Sequence, residues 1–148
     1  MTQVNWARLA LSGLIAFVIV YFADALVHEN LLDTDWKAVY AQLGVAEPQE
    51  HGWAIAYFAV FDLGRAFLSI YIYVLMRPFY GAGPKTAVLA GVVAWLAFSV
   101  TGPAQFIPLG FYSNALWIKV AVFQLITSIV SVLAGAWFYK DSAPTASS

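Results

Sequence analysis

The sequence contains no cysteine among its 148 residues. Disulfide bonds, thiolate metal sites, iron–sulfur clusters and cysteine nucleophiles are therefore excluded. Charged residues are also scarce, because they form 10% of the chain, whereas a soluble domain carries about 25%. So few charges cannot cover a water-facing surface. The formal net charge of −1 leaves no concentrated basic face, which excludes nucleic acid as a partner.

Sequence signatures of common catalytic sites are missing too. The chain has no Gly-x-Ser-x-Gly motif, no phosphate-binding loop, no dinucleotide fingerprint and no His-Glu-x-x-His motif. Neither of the two histidines has a sequence context that pairs it with a serine on a helix. These absences disfavour an enzyme, and we predict no catalytic residue.

Apolar residues, in contrast, form 62% of the chain. A membrane-spanning helix needs about 20 mostly apolar residues. Four segments meet this requirement, at residues 7–27, 53–76, 86–107 and 115–139. We predict an all-α membrane protein in which residues 1–140 form one four-transmembrane-helix bundle. Residues 141–148 are expected to form a polar C-terminal tail.

The first apolar segment also resembles a secretory signal peptide. Arg8 precedes the apolar run, and Ala23-Asp24-Ala25 has the small-x-small form of a cleavage site. An acidic residue inside a cleavage site is unusual. We therefore expect the segment to be retained as the first span.

The basic residues predict how the spans are oriented, because cytoplasmic loops are enriched in lysine and arginine. Four of them fall on the side of the two termini: Arg8, Arg77, Lys85 and Lys140. Two fall on the other side: Lys37 and Lys119. We expect both termini in the cytoplasm and the protein in a bacterial inner (plasma) membrane.

The first loop is the only long one, and it carries the pattern of a short helix. Asp33 or Thr34 is predicted to cap this helix, and Gly44 to end it. Its apolar face consists of residues at helical spacing: Trp36, Val39, Tyr40 and Leu43. Such an amphipathic helix either lies in the lipid headgroup zone or packs over the outer end of the bundle.

Two charged residues, Asp62 and Arg65, lie well inside the second span. Each charge costs about 2.5–3.5 kcal/mol at the centre of a membrane helix on insertion scales. Their i, i+3 spacing places them on one face, where they can form an ion pair. This pair could be purely structural or dock a partner. Alternatively, it could form a proton or ion relay, or Arg65 could anchor a substrate carboxylate.

A second group of polar residues is predicted near the outer ends of the first two spans. Asp24 and His28 share a face of the first span, and Glu50 and His51 precede the second. Together they could ligate a divalent metal, or His28 or His51 could ligate a haem or a chlorophyll. A pH-sensitive hydrogen-bonding cluster is the alternative, because histidine titrates near neutral pH. The cofactor, if any, is left undetermined.

The third span contains a proline, Pro103, which frees the carbonyl of Ser99 and favours a kink. Thr101 and Gln105 add polar groups at this bend. Broken helices line the transport sites of many carriers. They also occur wherever neighbouring groups satisfy the freed backbone.

The sequence leaves three functional hypotheses. The leading one is a small non-catalytic accessory or structural subunit that packs in or beside a larger membrane complex. The second is an oligomeric transporter or channel that uses Asp62, Arg65 and the Pro103 bend. The third is a haem- or chlorophyll-ligating membrane component. The expected partners are the lipid bilayer and either other membrane subunits or further copies of this chain.

Overall fold

The computed structural model describes residues 4–47 and 52–141 of the chain. These ranges contain no strand and fold into helices that we number α1 to α5: Trp6–Leu31, Asp33–Leu43, Gly52–Tyr80, Pro84–Ala104 and Asn114–Phe138. All except α2 are long and apolar enough to cross a membrane. The prediction of an all-helical chain with four candidate spans is therefore confirmed.

Local chemistry explains where several helices begin. Asn5 accepts a hydrogen bond from the Arg8 amide at 3.1 Å, and Ser113 accepts one from the Leu116 amide at 3.1 Å. Both are side-chain caps that satisfy otherwise unpaired backbone donors. Pro84 occupies the first turn of α4, where the absence of an amide hydrogen costs nothing.

The short helix α2 begins differently from the prediction. Asp33 is its first residue and Leu32 precedes it without a side-chain cap, so neither Asp33 nor Thr34 caps the helix. The Asp33 carboxylate instead forms an ion pair with Lys37 at 2.9 Å, one helical turn later. The predicted end is correct, because Gly44 follows the helix with φ of 66°, a conformation that favours glycine.

Helix α3 extends beyond the predicted end at Met76. It continues through Pro78 to Tyr80, although a proline usually breaks a helix. The proline lies in the last turn, and the Arg77 carbonyl still accepts a hydrogen bond from Gly81 at 2.9 Å. Only one backbone donor is lost there, so the helix tolerates the residue.

The four long helices form a bundle in which α1 packs against both α3 and α5. Helix α4 packs against the same two helices. Small side chains at the contacts allow the backbones to approach closely, which drives association in lipid. Four alanines are fully buried: Ala16, Ala66, Ala87 and Ala90. The Ser128 hydroxyl of α5 donates to the Gly91 carbonyl of α4 at 2.8 Å.

Large apolar side chains cover the outside of the bundle. Phe22 is 67% exposed, Val122 55% and Ile126 61%. Burying such residues is worth about 1.5–3 kcal/mol each in water, so leaving many of them outside suits a bundle that is surrounded by lipid. The apolar exterior, like the length and composition of the four helices, therefore favours a membrane protein.

Polar contacts tie the two ends of the described chain to one end of the bundle. The Asn5 amide donates to the Tyr139 hydroxyl at 3.1 Å. Arg77 pairs with Asp141 at 2.6 Å and lies 4.9 Å from the centre of the Tyr139 ring. The connection from α3 to α4 and both described ends therefore share one end of the bundle.

The opposite end is covered by α2. Val39 is buried in a small apolar cluster with Val27, Leu32 and Leu116. The Trp36 ring lies 6.1 Å from the ring of Tyr112, which precedes α5. Helix α2 therefore packs over the end of the bundle through Val39 and Trp36.

Candidate functional site

Arg65 of α3 contacts two carboxylates inside the bundle. Its Nη2 atom lies 2.5 Å from Asp24 Oδ2 of α1 and 3.3 Å from Asp62 Oδ1 of α3. The three side chains are only 10%, 14% and 8% exposed, for Arg65, Asp24 and Asp62 respectively. We call Asp24, Asp62 and Arg65 the charged triad.

The charged triad joins two groups that the sequence analysis treated separately. The spacing of Asp62 and Arg65 indicated a pair within one helix, and the structure places them within ion-pair distance. Asp24 was assigned to a cluster with His28, and the structure shows that its carboxylate pairs with Arg65. An acid in an apolar span needs a compensating cation, and Arg65 was the only arginine or lysine well inside a predicted span, because Arg8 and Lys119 lie near the ends of theirs. An acid in the first span and a base in the second could therefore have predicted the contact between Asp24 and Arg65.

Further groups hold the charged triad in place. Gln124 of α5 donates to Asp24 Oδ2 at 3.4 Å, and Ser69 donates to the Arg65 carbonyl at 2.8 Å. The other carboxylate oxygen of Asp24, Oδ1, is buried and has no hydrogen-bond partner among the described residues. Two carboxylates face a single guanidinium, so the charged triad has a formal charge of −1.

A cavity of about 410 Å³ opens beside the charged triad, between α1, α2 and α3. We call it the acidic cavity. Its lining includes Arg65, His28 and five acidic side chains: Asp24, Glu29, Asp33, Glu47 and Asp62. Six aromatic side chains also line it: Tyr21, Trp36, Tyr40, Tyr57, Phe58 and Phe61. Burial, and secondarily the Glu47 carboxylate, raises the pKa of Tyr40, so its phenol is neutral at physiological pH.

A second cavity, of about 430 Å³, lies on the other side of Arg65. We call it the α4–α5 cavity, because Phe98, Pro103 and Val120 are among its lining residues. Five side chains line both large cavities: His28, Trp36, Phe61, Arg65 and Gln124. The two cavities are therefore separated by shared side chains.

A third, much smaller cavity adjoins Arg65 within the bundle. Its volume is about 10 Å³, close to the minimum of about 10–15 Å³ that a single water molecule requires. Besides Arg65 and Gln124, its polar lining consists of hydroxyl groups from α3, α4 and α5: Ser69, Ser99, Thr127, Ser128 and Ser131. We call it the hydroxyl cavity.

The polar residues around the Pro103 bend are distributed over two cavities and the exposed surface of α4. Ser99 is buried and lines the hydroxyl cavity, whereas Pro103 and Gln105 line the α4–α5 cavity. Thr101 is exposed and donates to the Ala97 carbonyl of its own helix at 3.0 Å. Residues 96–101 form a π-helical segment, whose wider turn changes which faces the side chains occupy. A polar site at the bend stays a prediction.

The predicted ligand group is described only in part. Asp24 and His28 both line the acidic cavity, and the His28 ring lies 5.4 Å from that of Trp36. Glu50 and His51 lie outside the described residues, so ligation of a metal, haem or chlorophyll by this group stays a prediction. Within residues 4–47 and 52–141, no three acidic or histidine side chains converge to hold a metal ion.

Fold and site together define a class: an all-helical bundle with four helices suited to crossing a membrane and a charged triad in its interior. Comparison of the chain with protein-family models, curated proteins and solved structures finds no match.

Proposed function

We propose that this protein is a small membrane transporter or channel whose solute pathway passes the charged triad. The observation that carries the proposal is the position of Arg65, which lines all three cavities. Charged groups inside membrane proteins usually face the bundle interior or a water-filled cavity, and they often mark ion or substrate pathways. An ion pair that served stability alone would not need this much empty space around it.

The cavities have the size and composition of a solute pathway. Both large cavities fall within the range of about 300–1,000 Å³ that is typical of small-molecule sites. The hydroxyl cavity continues the polar lining beyond Arg65, towards Ser131 in α5. The π-helical segment and Pro103 in α4 agree with this proposal, because irregular helices at membrane depth are found where they line a cavity.

Four helices seldom enclose a pore alone, so we propose that two or more copies assemble in the bilayer. The accessory-subunit hypothesis stays a prediction, because outward apolar side chains suit lipid and a protein partner equally. Ligation of a haem or chlorophyll by His28 or His51 also stays a prediction. An absorption spectrum of the purified protein tests it, since either pigment has a strong visible band.

We also propose that both termini face the cytoplasm of a bacterial inner membrane, and that α2, which packs over the other end of the bundle, lies at the depth of the lipid headgroups on that side. The shared end of the bundle holds Arg77 and both described ends, which supports placing the basic residues together on the cytoplasmic side. Trp36 and Tyr40 are aromatic residues that suit a membrane interface.

This orientation predicts the behaviour of an epitope tag at either end of the chain. In inside-out vesicles both tags should be cut by added protease, and in right-side-out vesicles both should be protected. A tag inserted after Gly44 is the matched control, because it follows α2 and should give the opposite pattern. Protection of the terminal tags in inside-out vesicles would reverse the orientation.

Water access to the cavities can be tested because the natural chain has no cysteine. A single cysteine is placed either at Phe61, which lines both large cavities, or at Val122. The cysteine at Phe61 should react about tenfold faster with a charged, membrane-impermeant thiosulfonate, because only a hydrated thiol forms the reactive thiolate. The two side chains are equally exposed, at 55% each, but Val122 lines none of the three cavities. Equal rates would contradict a hydrated pathway.

Transport itself is tested by electrical recording from proteoliposomes during rapid solute exchange. The solutes should include inorganic cations, organic cations and organic anions. Neutral molecules carry no current, so their transport is measured in parallel by uptake of the radiolabelled solute. We expect a saturable signal for one class and its loss in Asp62→Asn, with Asp35→Asn as control because Asp35 lines none of the three cavities. The absence of both current and uptake for every class would overturn the proposal. An unchanged signal in Asp62→Asn would remove the charged triad from the pathway.

A further inference from the structure

The lining of the acidic cavity is strongly unbalanced in charge. Its lining contains five carboxylates and a single guanidinium. A second base, Lys37, lies outside the lining and pairs with Asp33 at 2.9 Å. Arg65 can neutralise only one of its two carboxylate partners. Uncompensated negative charge in a partly dry environment is costly, so the cavity favours an occupant with positive charge.

One atom shows this imbalance directly. Asp24 Oδ2 accepts hydrogen bonds from Arg65 and Gln124. Asp24 Oδ1 is buried without a hydrogen-bond partner among the described residues, and Asp24 lines the acidic cavity. Leaving such an acceptor unsatisfied costs about 1–3 kcal/mol, and more when the group is charged. The charge of Asp24 is therefore only partly compensated, and a cation in the acidic cavity would compensate it further through electrostatic attraction.

Aromatic rings make up the apolar part of the same lining. Tyr57, Phe58 and Phe61 lie close together on α3 and are 63%, 48% and 55% exposed. Trp36 and Tyr40 of α2 also line the cavity. The faces of aromatic rings attract ammonium groups, and quaternary ammonium ions are often held in cages of such rings. Carboxylates beside aromatic rings therefore match a cation with an apolar body.

Other ligand classes fit this cavity less well. A divalent metal needs several converging oxygen or nitrogen ligands, and the described residues offer no group of three. An organic anion would need Arg65, but this guanidinium already contacts Asp24 and Asp62. The other carboxylates of the lining would also repel an organic anion. The predicted role of Arg65 as an anchor for a substrate carboxylate is disfavoured for the same reason.

From these observations we infer that the acidic cavity binds an organic cation, namely an amine or quaternary ammonium compound with an apolar or aromatic body. The inference rests on the proposed transport function and names its substrate class. The ammonium group lies on the side of the charged triad that faces the acidic cavity, near Asp24 and Asp62, and the apolar body contacts the aromatic side chains of α2 and α3. The volume of about 410 Å³ suits a ligand with one aromatic ring.

Calorimetric titration of the full chain in lipid nanodiscs tests the inference, with empty nanodiscs subtracted. The probe is benzyltrimethylammonium, compared with neutral benzyl alcohol and anionic benzenesulfonate. Saturable binding is expected for the cation alone. Asp24→Asn and Asp62→Asn should each weaken it at least about tenfold, because a carboxylate partner contributes mainly through its charge. Asp35→Asn is the matched control, since Asp35 pairs with Lys119 outside the cavity lining.

Two further variants keep the test decisive if the charged triad cannot be altered without unfolding the protein. Glu47→Gln changes a half-buried residue outside the helices that still lines the cavity, and it should weaken binding about threefold through the loss of an attractive charge. Phe58→Leu should weaken binding by a similar factor through the loss of a ring face. Phe22→Leu is its control, because Phe22 is 67% exposed and lies outside the lining.

The outcomes separate this inference from the proposed function. Cation binding without any transport current would support the site and overturn transport. Transport of an anion or a neutral solute, with no ammonium binding, would support transport and overturn the inference. Equal binding of benzyl alcohol and benzyltrimethylammonium, or full binding in both triad variants, would also overturn it.

Discussion

Replacing Arg65 by methionine is expected to lower the free energy of unfolding by about 3–5 kcal/mol, because removal of one partner from a buried ion pair leaves uncompensated charge. Here two carboxylates, Asp24 and Asp62, lose the same cation. Methionine has a similar length and keeps the apolar part of the side chain, so the variant changes charge more than volume. Unfolding of the protein in mixed micelles, followed by circular dichroism while the fraction of denaturing detergent rises, measures the effect.

A variant that removes all three charges isolates the electrostatic cause. Combining Arg65→Met with Asp24→Asn and Asp62→Asn leaves no charge uncompensated, so most of the lost stability should return. Lys119→Met is the control for losing a base, because this lysine is 49% exposed in its pair with Asp35. Exposed pairs contribute about 0–1 kcal/mol. If the Arg65→Met variant were as stable as the natural chain, the guanidinium would not compensate the two acids.

Gly91→Ala is expected to destabilise the contact between α4 and α5 by about 1–3 kcal/mol, which is the usual cost of overpacking a tight interior. A methyl group on Gly91 would lie 2.9 Å from Ile129 Cα and 3.1 Å from the Ser128 carbonyl oxygen. Both are backbone atoms, so the helices must move apart. That movement would also strain the hydrogen bond from Ser128 to the Gly91 carbonyl. The same unfolding measurement applies.

Gly64→Ala supplies a matched control for this second prediction. Gly64 also lies inside a long helix, but a methyl group there would meet no atom within 4 Å. The substitution should be neutral or should stabilise the protein by about 0.4–1 kcal/mol, since alanine restricts the unfolded chain. Equal destabilisation by both alanines would mean that close packing of α4 on α5 does not determine the result, because alanine has a higher helix propensity than glycine.

The charged triad connects the stability of the bundle to its proposed function. Arg65 links α1 to α3 through its ion pairs and also lines each of the three cavities. A variant of Arg65 therefore changes both folding and the pathway, and it cannot separate them. Asp62→Asn is more informative for transport, because the shorter contact between Arg65 and Asp24 is kept.

The sequence predicted the elements of the fold well, and their ends less well. Hydropathy over about 20 residues depends on local composition, so it found all four candidate spans. Helix α3 continues past residue 76, where the predicted second span ends, because a proline in the last helical turn is tolerated. The missing cap of α2 has a similar origin, since Asp33 pairs with Lys37 instead.

The candidate site was only half predictable. The spacing of Asp62 and Arg65 along one helix placed them on one face, which required no knowledge of the other helices. Their contact with Asp24, and the donation from Gln124, depend on how α1 and α5 are rotated against α3. Helix rotation is decided by the close packing of small residues such as Ala16, Ala66 and Gly91, and no single segment of sequence encodes it.

By itself, the sequence determined that this chain is helical and suited to lipid, because apolar run length and scarcity of charge are properties of each segment alone. It also determined that two opposite charges share a face of the second span. Only the tertiary structure decided that a third charge joins them and that acids and aromatic rings from three helices surround one cavity. A cavity is space left between elements, so it exists only once their packing is fixed.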